Sequence, residues 1–158
     1  MISLPRIYAA LLVLATTTAY AAPKSPVQWS AKSVPPAKAG ATIALTVDGK
    51  IDAGWHVYAL EEPDGGPIAT VVGLTEGDPA DLLRVTEDKP IMLNDPLFHL
   101  NTGLHRGNIS FTLHLKVDKG AKPGPNPLHV LVRFQSCDDH VCLPPHTDTV
   151  EVPLNVTR

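Results

Sequence analysis

Only two of the 158 residues are cysteine, aromatic residues make up 5% of the chain, and no apolar run reaches the roughly 20 residues that a membrane-spanning helix needs. Basic clusters are missing as well. Lys116, Lys119 and Lys122 lie spaced apart beside Asp118, and the formal net charge is -3, so the chain lacks the electrostatic footprint of a nucleic-acid binder. There is no glycine-rich phosphate loop and no local motif of a Ser/His/Asp nucleophile, which removes the common nucleotide-binding and hydrolase signatures. The only methionines are Met1 and Met92, so the methionine that a blue-copper site places shortly after its last histidine is absent.

Proline is abundant. The chain has 16, about twice the average share of roughly 5%, and together with glycine they interrupt it too often for long helices. Between these breaks the apolar residues recur with a period of two. Ile109, Phe111, Leu113, Leu115 and Val117 alternate with Ser110, Thr112, His114 and Lys116, the pattern of a half-buried strand. Similar alternation marks Thr42 to Val47, Leu128 to Gln135 and Thr149 to Leu154, and shorter strands are expected around Val27 to Ala31, Trp55 to Leu60, Ala69 to Leu74 and Leu82 to Val85. Asp48-Gly49, Pro63 to Pro67, Glu76 to Pro79 and Lys122 to Pro127 read as turns, and Ser33 to Gly40 as a loop. Seven or eight short strands without a helix predict an all-β sandwich.

At the N-terminus, Arg6 precedes the apolar stretch Ile7 to Ala15, and Ala19-Tyr20-Ala21 supplies a small-residue cleavage site. This is the layout of a secretory signal peptide. Residues 1–21 are expected to be removed, leaving one domain over residues 22–158 that is periplasmic or secreted and does not span a membrane. No cysteine follows the apolar stretch to accept a lipid anchor. Asn108-Ile-Ser110 and Asn155-Val-Thr157 are glycosylation sequons only in a host that glycosylates.

In an exported chain two nearby thiols are expected to pair, and Cys137 and Cys142 are separated by only four residues. A ring of about six residues contributes roughly 2 kcal/mol by loop entropy, against about 4.7 for a hundred-residue loop, so a sandwich of this size does not need so local a clip. The residues leave three readings open: a structural staple, a working redox couple, and a soft metal site made by Cys137, His140, Cys142 and His146. The last has a spacing that matches no common zinc pattern. Carried past Phe134, the strand phase places Cys137 on the polar face with His129, Arg133 and Gln135, its sulfur toward the surface. Pro144 and Pro145 then put Cys142 at the entry of the following strand, and the pair flanks a hairpin tip. Asp138 and Asp139 disfavour a neighbouring thiolate, and His140 assists one only when protonated. Asp138 is read equally as a solvated turn residue and as a group that handles protons. His114 and His129 fall on polar strand faces, and His56 reads as packed.

The run Phe134-Gln135-x-Cys137-Asp138-x-x-x-Cys142-x-Pro144-Pro145, followed by Thr149-Val150, resembles the signature of the N-terminal domain of the thiol:disulfide interchange protein DsbD. Gly54-Trp55-His56-Val57-Tyr58 is similar to that family's Gly-Trp-His-x-Tyr strand, and Asp95-Pro-Leu-Phe98 sits where the family has a cap loop. The likeness covers Trp29 to Leu154. It implies an immunoglobulin-like β-sandwich in the periplasm that relays reducing equivalents through Cys137 and Cys142, with Cys142 bonding to partners and Cys137 as its mate. Tyr58, Asp95, Phe98 and Asp138 are the implied supporting and cap residues. No metal or other cofactor is implied. The implied donor is a thioredoxin-like or membrane thiol-disulfide reductase, separate because the family's transmembrane and thioredoxin-like domains do not follow here, and the acceptors are periplasmic disulfide-containing proteins. The alternatives are a non-catalytic binding module with a structural disulfide, or a Cys/His metal-binding sandwich. In one respect the chain departs from the family pattern: its cysteine gap is one residue shorter than in familiar members.

Overall fold

The computed structural model describes residues 25–158, so the expected signal peptide lies outside the described residues. Every regular element is a strand. In chain order they are β1 (Val27–Ala31), β2 (Ala37–Lys38), β3 (Thr42–Ile51), β4 (His56–Tyr58), β5 (Val71–Leu74), β6 (Ala80–Glu87), β7 (Ile91–Asn94), β8 (Asn101–His105), β9 (Asn108–Val117), β10 (Gly124–Phe134), β11 (Ser136–Cys137) and β12 (His146–Thr157). Two four-stranded sheets, ordered β1-β3-β9-β6 and β2-β12-β10-β5, face each other as an immunoglobulin-like β-sandwich, and a small third sheet, β11-β4-β8-β7, adjoins them. Among the described residues only the β2–β12 pair is parallel. Among the described residues no helix is long and apolar enough to cross a membrane.

Alternation builds the core. Ile109, Phe111, Leu113, Leu115 and Val117 of β9 face Leu128, Val130, Val132 and Phe134 of β10, all fully buried. Each such side chain contributes about 1.5–3 kcal/mol on leaving water. Trp29 ties the sheets together: its ring lies 5.8 Å from Phe111 in its own sheet and 5.3 Å from Phe134 in the other.

Three expectations are corrected. Asp48-Gly49 is not a turn, because β3 runs through it with Asp48 opposite Ser110 and Gly49 opposite Ile109. Gly49 is there for space, since a Cβ at that position would come within 2.4 Å of the Trp29 ring. Asp48 is held in the ladder by the Ser110 hydroxyl, which donates to it at 2.6 Å, and by Lys32 at 3.3 Å. The loop Ser33 to Gly40 contains β2. Gly124 to Pro127, expected in a turn, instead begins β10. There Pro127 faces Pro153, so neither can donate, and the opposite edge is free because β5 pairs only with Val130 to Arg133. A strand tolerates proline where no ladder bond is needed.

The third sheet was the least legible part. β4 is buried along its whole length and β8 at all but its first residue, so neither shows alternation. β7 is a short apolar run with no polar partner set to give it a face.

Candidate functional site

Cys137 and Cys142 form a disulfide, with an S–S distance of 2.05 Å and a Cα–Cα distance of 4.0 Å. They are antiparallel bridge partners whose flanking residues carry the hydrogen bonds: the Asp138 N–H donates to the Val141 carbonyl, and the Leu143 N–H to the Ser136 carbonyl, each at 2.9 Å. This is the non-hydrogen-bonded type of cross-strand pair, in which Cα atoms approach most closely. The expected hairpin tip is therefore present.

The tip is shaped by Asp138. Its Oδ1 accepts from the backbone N–H of both His140 and Val141 at 2.7 Å, closing an Asx turn across the four intervening residues. Those two bonds hold its carboxyl below the ordinary carboxylate range. Asp139 points outward and meets Arg106 at 3.3 Å.

Strand phase placed the Cys137 sulfur toward the surface; it is instead fully buried. After β10 ends at Phe134, the chain crosses to the third sheet as β11, with Ser136 opposite Val57 and Cys137 opposite His56. The face that was read as solvent is covered there by Tyr58 and Leu104, with Leu93, Phe98 and Cys142 packed around them. Cys142 is only half-buried and does not open β12, which begins at His146, three residues before the Thr149 start that alternation gave. Leu97 and Val141 lie exposed on the flanking loops.

The remaining resemblance residues converge on this cluster. Tyr58 is completely buried, and its ring meets Phe98 edge-on at 6.0 Å. Its hydroxyl donates to Asp95 Oδ2 at 2.9 Å. Asp95, also buried, accepts with Oδ1 from the N–H groups of Leu97 (2.8 Å) and Phe98 (3.2 Å). The loop that joins β7 to β8 is thus tied by one carboxylate, and it closes through His99, whose φ of 56° is the only positive value at a non-glycine residue among the described residues. Burial and the adjacent Asp95 push the Tyr58 hydroxyl far above its ordinary pKa, so it stays protonated as a donor.

His56 lies beside Tyr58, with Nε2 3.3 Å from the hydroxyl and the rings edge-to-face at 5.2 Å. Burial lowers its pKa, reinforced by Arg106 and opposed by Asp95, Asp139 and Asp138. Reading it as packed missed this bond. The signal was its spacing, because residues i and i+2 of a strand share a face. On the sandwich itself, His129 is bonded through Nδ1 to Asp78 at 2.8 Å rather than merely exposed. Among the described residues there is no group of three or more His, Cys, Asp or Glu side chains placed to hold a metal ion.

On the other side of the hairpin, Phe134, Ser136, Leu143, Pro144, Pro145 and His146, with Ser25 and Pro26, line a mainly apolar groove of about 250 Å³.

The immunoglobulin-like sandwich, with its disulfide-closed hairpin packed against a buried aromatic cluster, has the features of a thiol-disulfide exchange domain. The chain belongs to the family described as thiol:disulfide interchange protein DsbD, N-terminal, whose model matches residues 24–154. Its fold is similar to the reduced N-terminal domain of DsbD from Neisseria meningitidis, at 18% identity and a TM-score of 0.53 over 74% of this chain and 82% of that one. It is also similar to the N-terminal periplasmic domain of ScsB from Proteus mirabilis, at 15% identity and a TM-score of 0.55 over 81% of this chain and 45% of that one. No curated protein matches the chain.

Proposed function

We propose that this protein is a periplasmic relay of reducing equivalents, exported by a signal peptide over residues 1–21 and working as one domain over residues 22–158. The observation that carries this reading is the unequal burial of one disulfide: Cys137 is enclosed while Cys142 is half-exposed beside the cap loop. A thiolate of a thioredoxin-like or membrane reductase attacks Cys142 Sγ. The Cys137–Cys142 bond breaks, Cys137 leaves with the electron pair and takes up a proton, and a mixed disulfide joins Cys142 to the donor. A second donor thiolate then attacks the donor sulfur of that bond and frees Cys142. The donor ends as a disulfide and this domain as a dithiol, a transfer of two electrons and two protons. Delivery to a disulfide-containing acceptor runs the same steps with Cys142 as nucleophile and Cys137 as the resolving thiol. Phe98 limits access to the bond until a partner moves the cap loop, Tyr58 and Asp95 hold that loop, and Asp138 shapes the hairpin.

Two measurements test this. Against a glutathione buffer, a poise between about -180 and -270 mV suits a relay, whereas a value below about -300 mV supports the alternative of a structural staple. In trapping experiments with a thioredoxin-like protein, Cys137→Ser is expected to accumulate a mixed disulfide and Cys142→Ser to give none; the opposite result reverses the two roles.

A further inference from the structure

His56 contributes something that the cap loop alone does not require. The imidazole is buried, Nδ1 has no hydrogen-bond partner, and the one polar contact is Nε2 to the Tyr58 hydroxyl. Cys137 is its cross-strand neighbour, so ring and sulfur share a face of the small sheet.

A neutral imidazole carries one ring proton, and the two choices have different consequences. With the proton on Nδ1, a buried N–H is orphaned, and Nε2 becomes an acceptor that competes with Asp95 for the single proton of Tyr58. With the proton on Nε2, only an acceptor is left unpaired, Nε2–H donates to the phenolic oxygen, and the Tyr58 proton is committed to Asp95. Buried orphan N–H groups are the rarer defect, which selects the second arrangement. The bonds then run from His56 Nε2–H to the Tyr58 oxygen and from the Tyr58 O–H to Asp95 Oδ2, and the Leu97 and Phe98 amides meet the same carboxylate from the other side at Oδ1. The two aligned bonds, His56 to Tyr58 and Tyr58 to Asp95, polarise and strengthen one another.

We infer that His56 is a positioning residue for exchange at the Cys137–Cys142 bond: by donating to Tyr58 it aims the phenol at Asp95 and so sets how firmly the turn carrying Phe98 is held against the disulfide. This rests on the reading of that turn as a cap. It assigns a share of the closing force to a residue on β4, in register with the buried cysteine, in addition to the loop's own contacts.

The test measures the second-order rate at which dithiothreitol reduces the oxidised full chain, for the wild type and for His56→Phe, His56→Gln and Phe98→Ala. Phe keeps a ring and removes the donor, whereas Gln keeps an N–H at similar reach. His56→Phe is expected to accelerate reduction about fivefold, the factor that one net hydrogen bond is worth in an equilibrium. His56→Gln is expected to restore a rate close to that of the wild type. Equal rates for His56→Phe and wild type, while Phe98→Ala is faster, overturn the role of His56 and leave the cap reading standing. No acceleration by Phe98→Ala overturns the cap reading itself, and this inference with it. Ring ¹⁵N shifts of the wild-type protein give an answer that does not depend on any variant folding: the Nε2–H tautomer is expected, and the Nδ1–H tautomer overturns the assignment.

Discussion

The Tyr58–Asp95 bond joins β4 to the turn after β7 and is buried at both ends, so its removal is the sharpest probe of how the small sheet is held. Tyr58→Phe deletes one oxygen without changing the ring. It leaves Asp95 Oδ2 with no protein donor in the described structure, in a site that is 1% exposed. A hydrogen bond to a charged group contributes about 1.5–3 kcal/mol, and a buried acceptor left unpaired costs about 1–3, so a destabilisation of about 2–3 kcal/mol is expected. At a typical urea slope of about 1–3 kcal/mol per molar, that loss lowers the unfolding midpoint by roughly 1 M. Asp95→Ala removes the same bond and the two amide contacts to Leu97 and Phe98, and is expected to cost more. The double variant isolates the shared bond, because the amide contacts cancel in the cycle. Urea unfolding of the four oxidised proteins is expected to give a coupling of about 1.5–3 kcal/mol. A coupling below about 0.5 kcal/mol, the scatter of independent sites, would refute the reasoning that this pair anchors the loop.

Three further outcomes are expected. Gly49→Ala puts a methyl into the Trp29 ring and, as overpacking, is expected to cost about 1–3 kcal/mol with a changed tryptophan near-UV signal; an unchanged midpoint and spectrum would mean that the ring yields freely. Asp138 has a folded-state pKa below its unfolded value, so its contribution is complete above the unfolded carboxylate range near pH 4 and is lost as pH falls through the folded value. Asp138→Asn is expected to reduce the acid-limb slope of stability below about pH 4, and identical slopes would contradict the turn geometry. His129 has the opposite sign: its pKa is raised by the bond to Asp78, so its stabilisation is complete below the unfolded value near 6.5 and fades as pH rises through the folded one. NMR titration is expected to place His129 above 6.5 and to bring it back toward that value in Asp78→Asn.

The sandwich was readable where one face of a strand meets the core and the other meets solvent. β9 and β10 were found from their alternation, with Leu128, Val130, Val132 and Phe134 in the phase expected. Reading failed where that contrast vanishes: in β8 Thr102, Gly103, Leu104 and His105 are buried in succession and no strand was expected there, whereas β4, though buried throughout, fell within the short strand expected around Trp55 to Leu60. The same blindness explains Cys137. Its side of the strand was identified as non-core, but a period of two reports which face a residue takes, not whether another sheet covers that face. Asp48-Gly49 misled for a different reason, because a glycine demanded by a neighbouring ring looks like one demanded by a turn. The cysteine pair was legible from its spacing in a chain that reads as exported, whereas Tyr58, Asp95 and Phe98 were selected through the likeness to a family; all five lie together around one cluster. The hydrogen bond of His56 was encoded in its spacing from Tyr58, and a reading that weighed each histidine alone did not use it.

The small sheet has its own apolar nucleus, distinct from the main core that unites the two large sheets and to which it contributes Val57. The two sulfurs therefore sit in an annex. Opening the bridge unties only a short hairpin, whose ends remain anchored through the Ser136–Val57 pairing on one side and the long β12 ladder on the other. Under the proposed relay, a structure divided in this way lets that corner loosen and tighten while the load-carrying walls keep their shape.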